Sequence, residues 1–379
     1  MKDKRNEILA RQLLEYSIHI EPGETLYLEI KGRDTLELGK QVLRRATEMG
    51  AVVFWYYSDE SLLRYWVKSA SDEQLKAQAD LHLHLMKKAD TYISLRGSDN
   101  PFDLADIDGV RMERFNTLFY KPVHLEERVK RTRWVVLRYP NNAMAQLAET
   151  SQETFEDFYY DVCCADYAKM SKAMDRLVAL VDNTDKVRII SPGTDLTFSL
   201  KGIPVVKCDG HRNIPDGEVY TAPVKDSVNG TITYNTPSLE KGTLYNNISF
   251  TFEKGRIVKA ACDGDVKKMN EMLDADEGAR YVGEFAIGVN PFILKPMKDT
   301  LFDEKIAGSI HFTPGQCYDD APNGNDSSIH WDLVLIQRPD YGGGEIYFDD
   351  KLVRKDGVFT DPQLEEDFSK DNLKAEGME

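Results

Sequence analysis

The sequence predicts an α/β N-terminal domain with a mostly parallel sheet, followed by a β-rich α+β domain. Three observations carry that prediction. Strand-like and helix-like segments alternate through the first half, short alternating strands with tight turns fill the second, and 379 residues exceed what one ordinary core accommodates. The polar run Asp182-Asn183-Thr184-Asp185 sets the boundary, giving domains of residues 1–183 and 184–379.

In the first half, Leu26 to Ile30 reads as a strand, Thr35 to Met49 as an amphipathic helix and Ala51 to Tyr57 as a second strand, which together make a βαβ unit. Apolar runs at Thr91 to Leu95 and Trp134 to Leu137, on either side of a charged helical stretch at Val110 to Arg131, continue the alternation. The first strand-to-helix turn reads Lys31-Gly32-Arg33-Asp34-Thr35 and lacks Gly-x-Gly-x-x-Gly, so no dinucleotide site is predicted and this half reads as scaffold. One helical run covers Glu153 to Val181, with Met170, Met174, Leu177 and Val181 on a single side as core filling.

After residue 184 the expected strands are Val187 to Ile190, Leu196 to Leu200, Asn247 to Phe252, Arg256 to Ala260 and Glu345 to Phe348. Glu253-Lys254-Gly255 and Asp349-Asp350 read as hairpin turns, and Asp265 to Leu273 as one interrupting helix. Residues 361–379 are acidic and almost free of aromatics, which predicts a surface helix or a frayed tail.

The excess of 64 acidic over 48 basic residues gives a formal charge of -16, which disfavours nucleic acid and anionic membrane as partners. The first residues carry no apolar core of signal-peptide length, and no later run reaches the length of a membrane span. Five cysteines without a Cys-x-x-Cys suggest neither a disulfide framework nor a thiolate zinc site, so a cytoplasmic protein is expected. Cys317 reads as a small buried hydrophobe.

The chemistry concentrates in the second half. His330 and Asp332 stand two apart in the strand-like run Ser327 to Ile336, where alternation turns both side chains to one face. Glu218 follows a Pro-Asp-Gly turn and opens a strand limited by Pro223, and Glu284 sits alone among apolar neighbours in Tyr281-Val-Gly-Glu-Phe-Ala-Ile-Gly288. A carboxylate in a run otherwise fit for burial must be paired, protonated or metal-bound. Each glutamate taken singly also fits a strand end facing water. The stretch Leu301 to Tyr318 adds Glu304, His311 and Tyr318, and His311 ends an apolar alternation as His330 does. A lone histidine on such a strand is ordinarily a hydrogen-bonded core residue; two within twenty residues favour ligation. His19, His82, His84, His124 and His211 read as structural or surface.

Two imidazoles with several carboxylates and no thiolate suit Zn, Mn or Co, and enough carboxylates are present to hold two ions that activate water for hydrolysis. Two histidines and a carboxylate also compose the facial triad of non-haem iron oxygenases; there Glu218 and Glu284 would be surplus. A peptide-binding protein that keeps the shell without turnover is the non-enzymatic alternative.

The ordered blocks Ile214-Pro-Asp-Gly-Glu-Val-Tyr-Thr-Ala-Pro223 with Asp226, Ser227, Asn229 and Gly230, then Gly-Glu-Phe-Ala, Leu-Phe-Asp-Glu, His311 to Tyr318 and Ile-His-Trp-Asp resemble the thermophilic metallo-aminopeptidases, the family of aminopeptidases T and S. The resemblance covers nearly the whole chain. It implies Glu218, Glu284, Glu304, His311, His330 and Asp332 as ligands of two divalent metal ions (Zn, Co or Mn), with Glu284 and Tyr318 catalytic. It further implies peptides with a free N-terminus as substrates, and a homodimer. The segment between His311 and His330 reads shorter than in that family, and Glu304 stands at a different offset from His311, so a different substrate preference is expected.

Overall fold

The computed structural model describes residues 3–375, except 101 and 241, together with residue 377. The chain divides into two compact units: residues 1–165 with 210–215 and 375–379, and residues 166–209 with 216–374. Among the described residues no helix is long and apolar enough to cross a membrane.

The first unit is built on the expected parallel sheet. Its strands Thr25–Lys31, Val52–Ser58, Thr91–Arg96 and Arg133–Arg138 are all parallel, with Val52–Ser58 at one edge, and the two-residue strand Asn213–Ile214 closes the other. Leu26, Leu28 and Ile30 are buried on one face of the first strand, and Tyr27 and Glu29 on the other. That strand is therefore covered on both faces, as parallel sheets require, whereas the edge strand Val52–Ser58 is largely exposed. Glu29 is tolerated there because Lys31 lies 2.9 Å away and the Tyr92 hydroxyl donates to it. A cavity of about 560 Å³ in this unit is lined by Asp34, Asp99, Asn141 and Gln146; no histidine or cysteine lines it.

The single helix expected from Glu153 to Val181 is two. Gln152–Cys163 ends before Ala165, and Asp166 starts Tyr167–Asp182 by accepting from the Lys169 amide. An aspartate placed to cap competes with helix continuation, and the 3.6-residue period reads through the break because both helices bury apolar faces. Met170, Met174, Leu177 and Val181 are buried together as expected.

The second unit holds a nine-stranded sheet, antiparallel throughout, and a five-stranded antiparallel one. The smaller sheet runs in the order Val334–Ile336, Ser309–Pro314, Val282–Gly288, Glu218–Thr221, Val206–Cys208. Phe285 and Phe312, on one of its faces, meet Phe198 of the larger sheet at ring distances of 5.0 and 5.1 Å. That aromatic layer fixes the register, because a slip by one residue would bring the polar face into the core. The tail does not fray through residue 373: Pro362–Asp367 and Lys370–Leu373 are helical, and Leu364, Phe368 and Leu373 are buried. Residues 376, 378 and 379, within the stretch expected to be helical or frayed, lie outside the described residues.

Candidate metal centre

Alternation in the three central strands of the small sheet brings the charged side chains to the face opposite Phe285 and Phe312. Ala286 pairs with Tyr220 on one side and His311 on the other, Gly288 with Glu218, and Glu284 with Thr313. Ala286 is buried between these side chains, and Glu218, Glu284 and His311 share its face. All three are at least 95 % buried. Glu304 arrives from a different element, capping the short helix Thr300–Asp303.

His330 and Asp332 come from irregular chain and not from the strand their alternation suggests. His330 makes one isolated bridge to Gly315, residues 331–333 carry no regular structure, and the strand begins only at Val334. Their convergence survives because other bonds hold them. The Gln316 carbonyl accepts from His330 Nδ1 at 2.8 Å, and the Thr313 hydroxyl donates to Asp332 at 2.8 Å.

These bonds also fix which ring nitrogen faces the cluster. His330 Nδ1 donates to a carbonyl, so in a neutral ring Nε2 carries the lone pair. Nε2 lies 3.1 Å from Glu284 Oε2 and 3.2 Å from Asp332 Oδ1, yet makes an aligned hydrogen bond to neither. The Thr313 hydroxyl hydrogen points at Asp332, so its oxygen accepts from His311 Nδ1 at 3.2 Å, and His311 Nε2 faces Glu218 Oε2 at 2.8 Å. Lone pairs opposed to carboxylates repel unless a cation stands between them or the rings take up protons.

The titration behaviour expresses the same demand. Burial opposes a charged His311, but Glu284 and Glu218 outweigh it and push the ring up to about 10. Against burial, Asp332 and Glu284 push His330 up to about 12. Burial would raise Asp332 and Glu218; the imidazoles hold Asp332 low, and Lys305 with His311 holds Glu218 low. Burial wins at Glu284, which is raised in spite of His311 and His330.

Two overlapping donor sets result, Glu218 with Glu304 and His311, and Glu284 with His311 and Asp332, their ligand atoms within 4.8 Å of one another in each. His330 borders the second set. This oxygen-rich ensemble with imidazole Nε2 lone pairs turned inward fits Zn, Mn or Co. A third grouping, Cys208, Asp216 and Glu218, is already served by the Lys305 ammonium, 3.3 Å from Glu218 and 3.9 Å from Asp216. Tyr318 stands at the rim, 46 % exposed, with its ring 4.7 Å from that of His330. Cys317 is buried and donates to the Asn325 carbonyl, in keeping with a structural role.

Lys305, Thr313, Gln316 and Gly283 were not legible as site residues. Gly283 occupies a bulge beside Glu284, and a Cβ there would lie 2.1 Å from the Gln316 carbonyl oxygen, the group that orients His330. Gly283→Ala is therefore expected to displace that carbonyl and lower metal affinity by about tenfold while the chain still folds. Metal content after dialysis checks this, and wild-type retention of metal would show that the loop yields freely.

Aminopeptidase 2 of Geobacillus stearothermophilus is 25 % identical over 383 residues, which covers 88 % of this chain and 92 % of the relative. Wild-type AmpT from Thermus thermophilus superposes with a TM-score of 0.76 at 22 % identity, covering 94 % of this chain and 99 % of that one. The same fold, at a TM-score of 0.59 and 13 % identity, occurs in 2,5-dihydroxypyridine dioxygenase from Pseudomonas putida KT2440, covering 95 % and 98 %. Residues 2–342 match the family described as thermophilic metalloprotease (M29), and the chain belongs to that family.

Proposed function

We propose that this protein is a metal-dependent aminopeptidase that removes N-terminal amino acids from peptides and works with two divalent ions, Zn, Co or Mn. The observation that carries this reading is the pair of imidazoles whose Nε2 atoms are held against the carboxylates of Glu218, Glu284 and Asp332, an arrangement that calls for protons on the rings or a metal cation between the groups. The Geobacillus stearothermophilus relative is an aminopeptidase by name, which supports the same reaction class. When bound, the ions supply an activated water and polarise the scissile carbonyl.

In this reading Glu218, Glu284, Glu304, His311, His330 and Asp332 hold the ions. Glu284, which borders both imidazoles, takes up the proton released from water. Thr313 and the Gln316 carbonyl keep His311 and His330 in the tautomer that turns Nε2 inward. The hydroxyl of Tyr318, at the rim, donates to the carbonyl oxygen as it gains charge. Specificity for a free N-terminus is part of this reading. The homodimer completes this reading and rests on the family resemblance alone.

The test is release of free amino acid from an unblocked leucyl peptide by chelator-stripped protein, with Zn, Co or Mn restored. Metal-dependent release from the free peptide, and none from its N-acetylated form, is expected. Equal rates on both would exclude an aminopeptidase. His311, His330 and Asp332 also satisfy the two-histidine, one-carboxylate pattern, and the fold is shared with a dioxygenase. Three further glutamates around the same site, Glu218 and Glu284 buried and Glu304 half-buried, favour hydrolysis, and oxygen uptake with ferrous iron would reverse that preference.

A further inference from the structure

We propose that Lys305 makes the two ion positions unequal, so that one ion is held firmly and the other exchanges. This inference rests on the two-ion reading above and adds to it a residue outside the ligand set.

Lys305 follows Glu304 directly and is 1 % exposed. Its ammonium pairs with Glu304 Oε1, lies 3.3 Å from Glu218 Oε1 and 3.9 Å from Asp216 Oδ1. Glu218 therefore divides its two oxygens between the lysine and His311, whose Nε2 is 2.8 Å from Oε2. Both carboxylates of the donor set formed by Glu218, Glu304 and His311 are thus already engaged by a cation built into the chain.

The other set differs. Among the described residues the ion pairs of Glu284 and Asp332 run to imidazoles, His330 at 3.1 and 3.2 Å and His311 at 3.9 and 3.7 Å, and those of Lys305 run to Asp216, Glu218 and Glu304. An imidazole gives up its proton to a metal and becomes a ligand; an ammonium held by carboxylates offers no lone pair and repels the incoming ion. The ion beside Glu218 and Glu304 has to share its anions with a fixed positive charge in a dry site, where such repulsion is strong.

The lysine is nevertheless required by the charge balance. The carboxylates Asp216, Glu218, Glu284, Glu304 and Asp332 carry five negative charges when all are ionised, which two divalent ions and one ammonium neutralise together. Without Lys305 the loaded site would keep a net negative charge and hold its second ion more tightly.

The experiment titrates Co²⁺ into the chelator-stripped full chain, with equilibrium dialysis counting ions and visible absorption reporting each position as it fills. Wild type, Lys305→Met and Lys305→Arg are compared. The wild type is expected to bind two ions with dissociation constants at least tenfold apart. Lys305→Met should tighten the weaker by at least tenfold and leave the stronger unchanged, and Lys305→Arg, which keeps the charge, should preserve the gap. Two ions bound with an unchanged gap in Lys305→Met would overturn the role of the lysine. Should the methionine variant not fold, the wild-type titration still decides, because two constants within threefold of each other contradict the proposal. Binding of a single ion by every variant would remove the two-ion reading itself, and the proposal with it.

Discussion

Glu284→Gln is expected to lower kcat/KM on a free leucyl peptide by roughly a thousandfold or more, and His330→Ala by a similar factor, while both variants still fold. Glu284 is 3 % exposed at the centre of the small sheet and touches both imidazoles, so the amide removes a ligand and a proton acceptor together while preserving shape. The fold does not depend on that charge. Register is set on the opposite face by Phe285 and Phe312 against Phe198, and the amide of glutamine occupies nearly the same volume. His330→Ala opens a gap at the rim, beneath Tyr318, where it costs little packing. Steady-state rates and unfolding curves of the two purified variants check this, and activity within tenfold of wild type in either would detach that residue from the chemistry.

Much of this centre was readable because strand alternation is a strict code. Glu218, Glu284 and His311 lie on regular strands, and their period-two spacing among apolar residues is the pattern of one polar face. His330 and Asp332 were legible for a partly wrong reason: the run is irregular at those residues, and the side chains converge through bonds to Gln316 and Thr313 that no spacing rule encodes. Lys305 escaped because a lysine beside a glutamate ordinarily reads as a solvated pair. Its burial depends on Asp216 and Glu218, about ninety residues earlier in the chain. Gly283 escaped because a glycine in a strand signals a bulge without saying which backbone approaches it. The parallel sheet of the first unit needed only alternation of strand and helix, whereas the break at Ala165 turns on one capping aspartate inside a continuous helical period.

Removal of the ions is expected to leave a protein whose imidazoles are protonated near neutral pH, and restoring them should expel those protons. In the ion-free chain both rings sit above the ordinary histidine value near 6.5, His311 at about 10 and His330 at about 12. A raised pKa means that the folded state holds the proton more tightly than the unfolded state. The resulting stability is complete below about pH 6.5 and is lost as pH rises through about 10 to 12. Chelated protein should therefore unfold more readily in alkali than in mild acid as far as these two groups decide it. An ion needs both lone pairs, so loading at pH 7.5 should release up to about two protons per chain, and apparent affinity should climb up to about a hundredfold per pH unit between 7 and 9. Calorimetric titration in two buffers of different ionisation enthalpy measures that release directly. A free ion concentration a thousand times the dissociation constant should add about 4 kcal/mol of stability, visible as a rise in Tm over the chelated protein. Release close to zero would mean that the imidazoles are already neutral without the ion, and the ion would then owe its binding to the carboxylates alone.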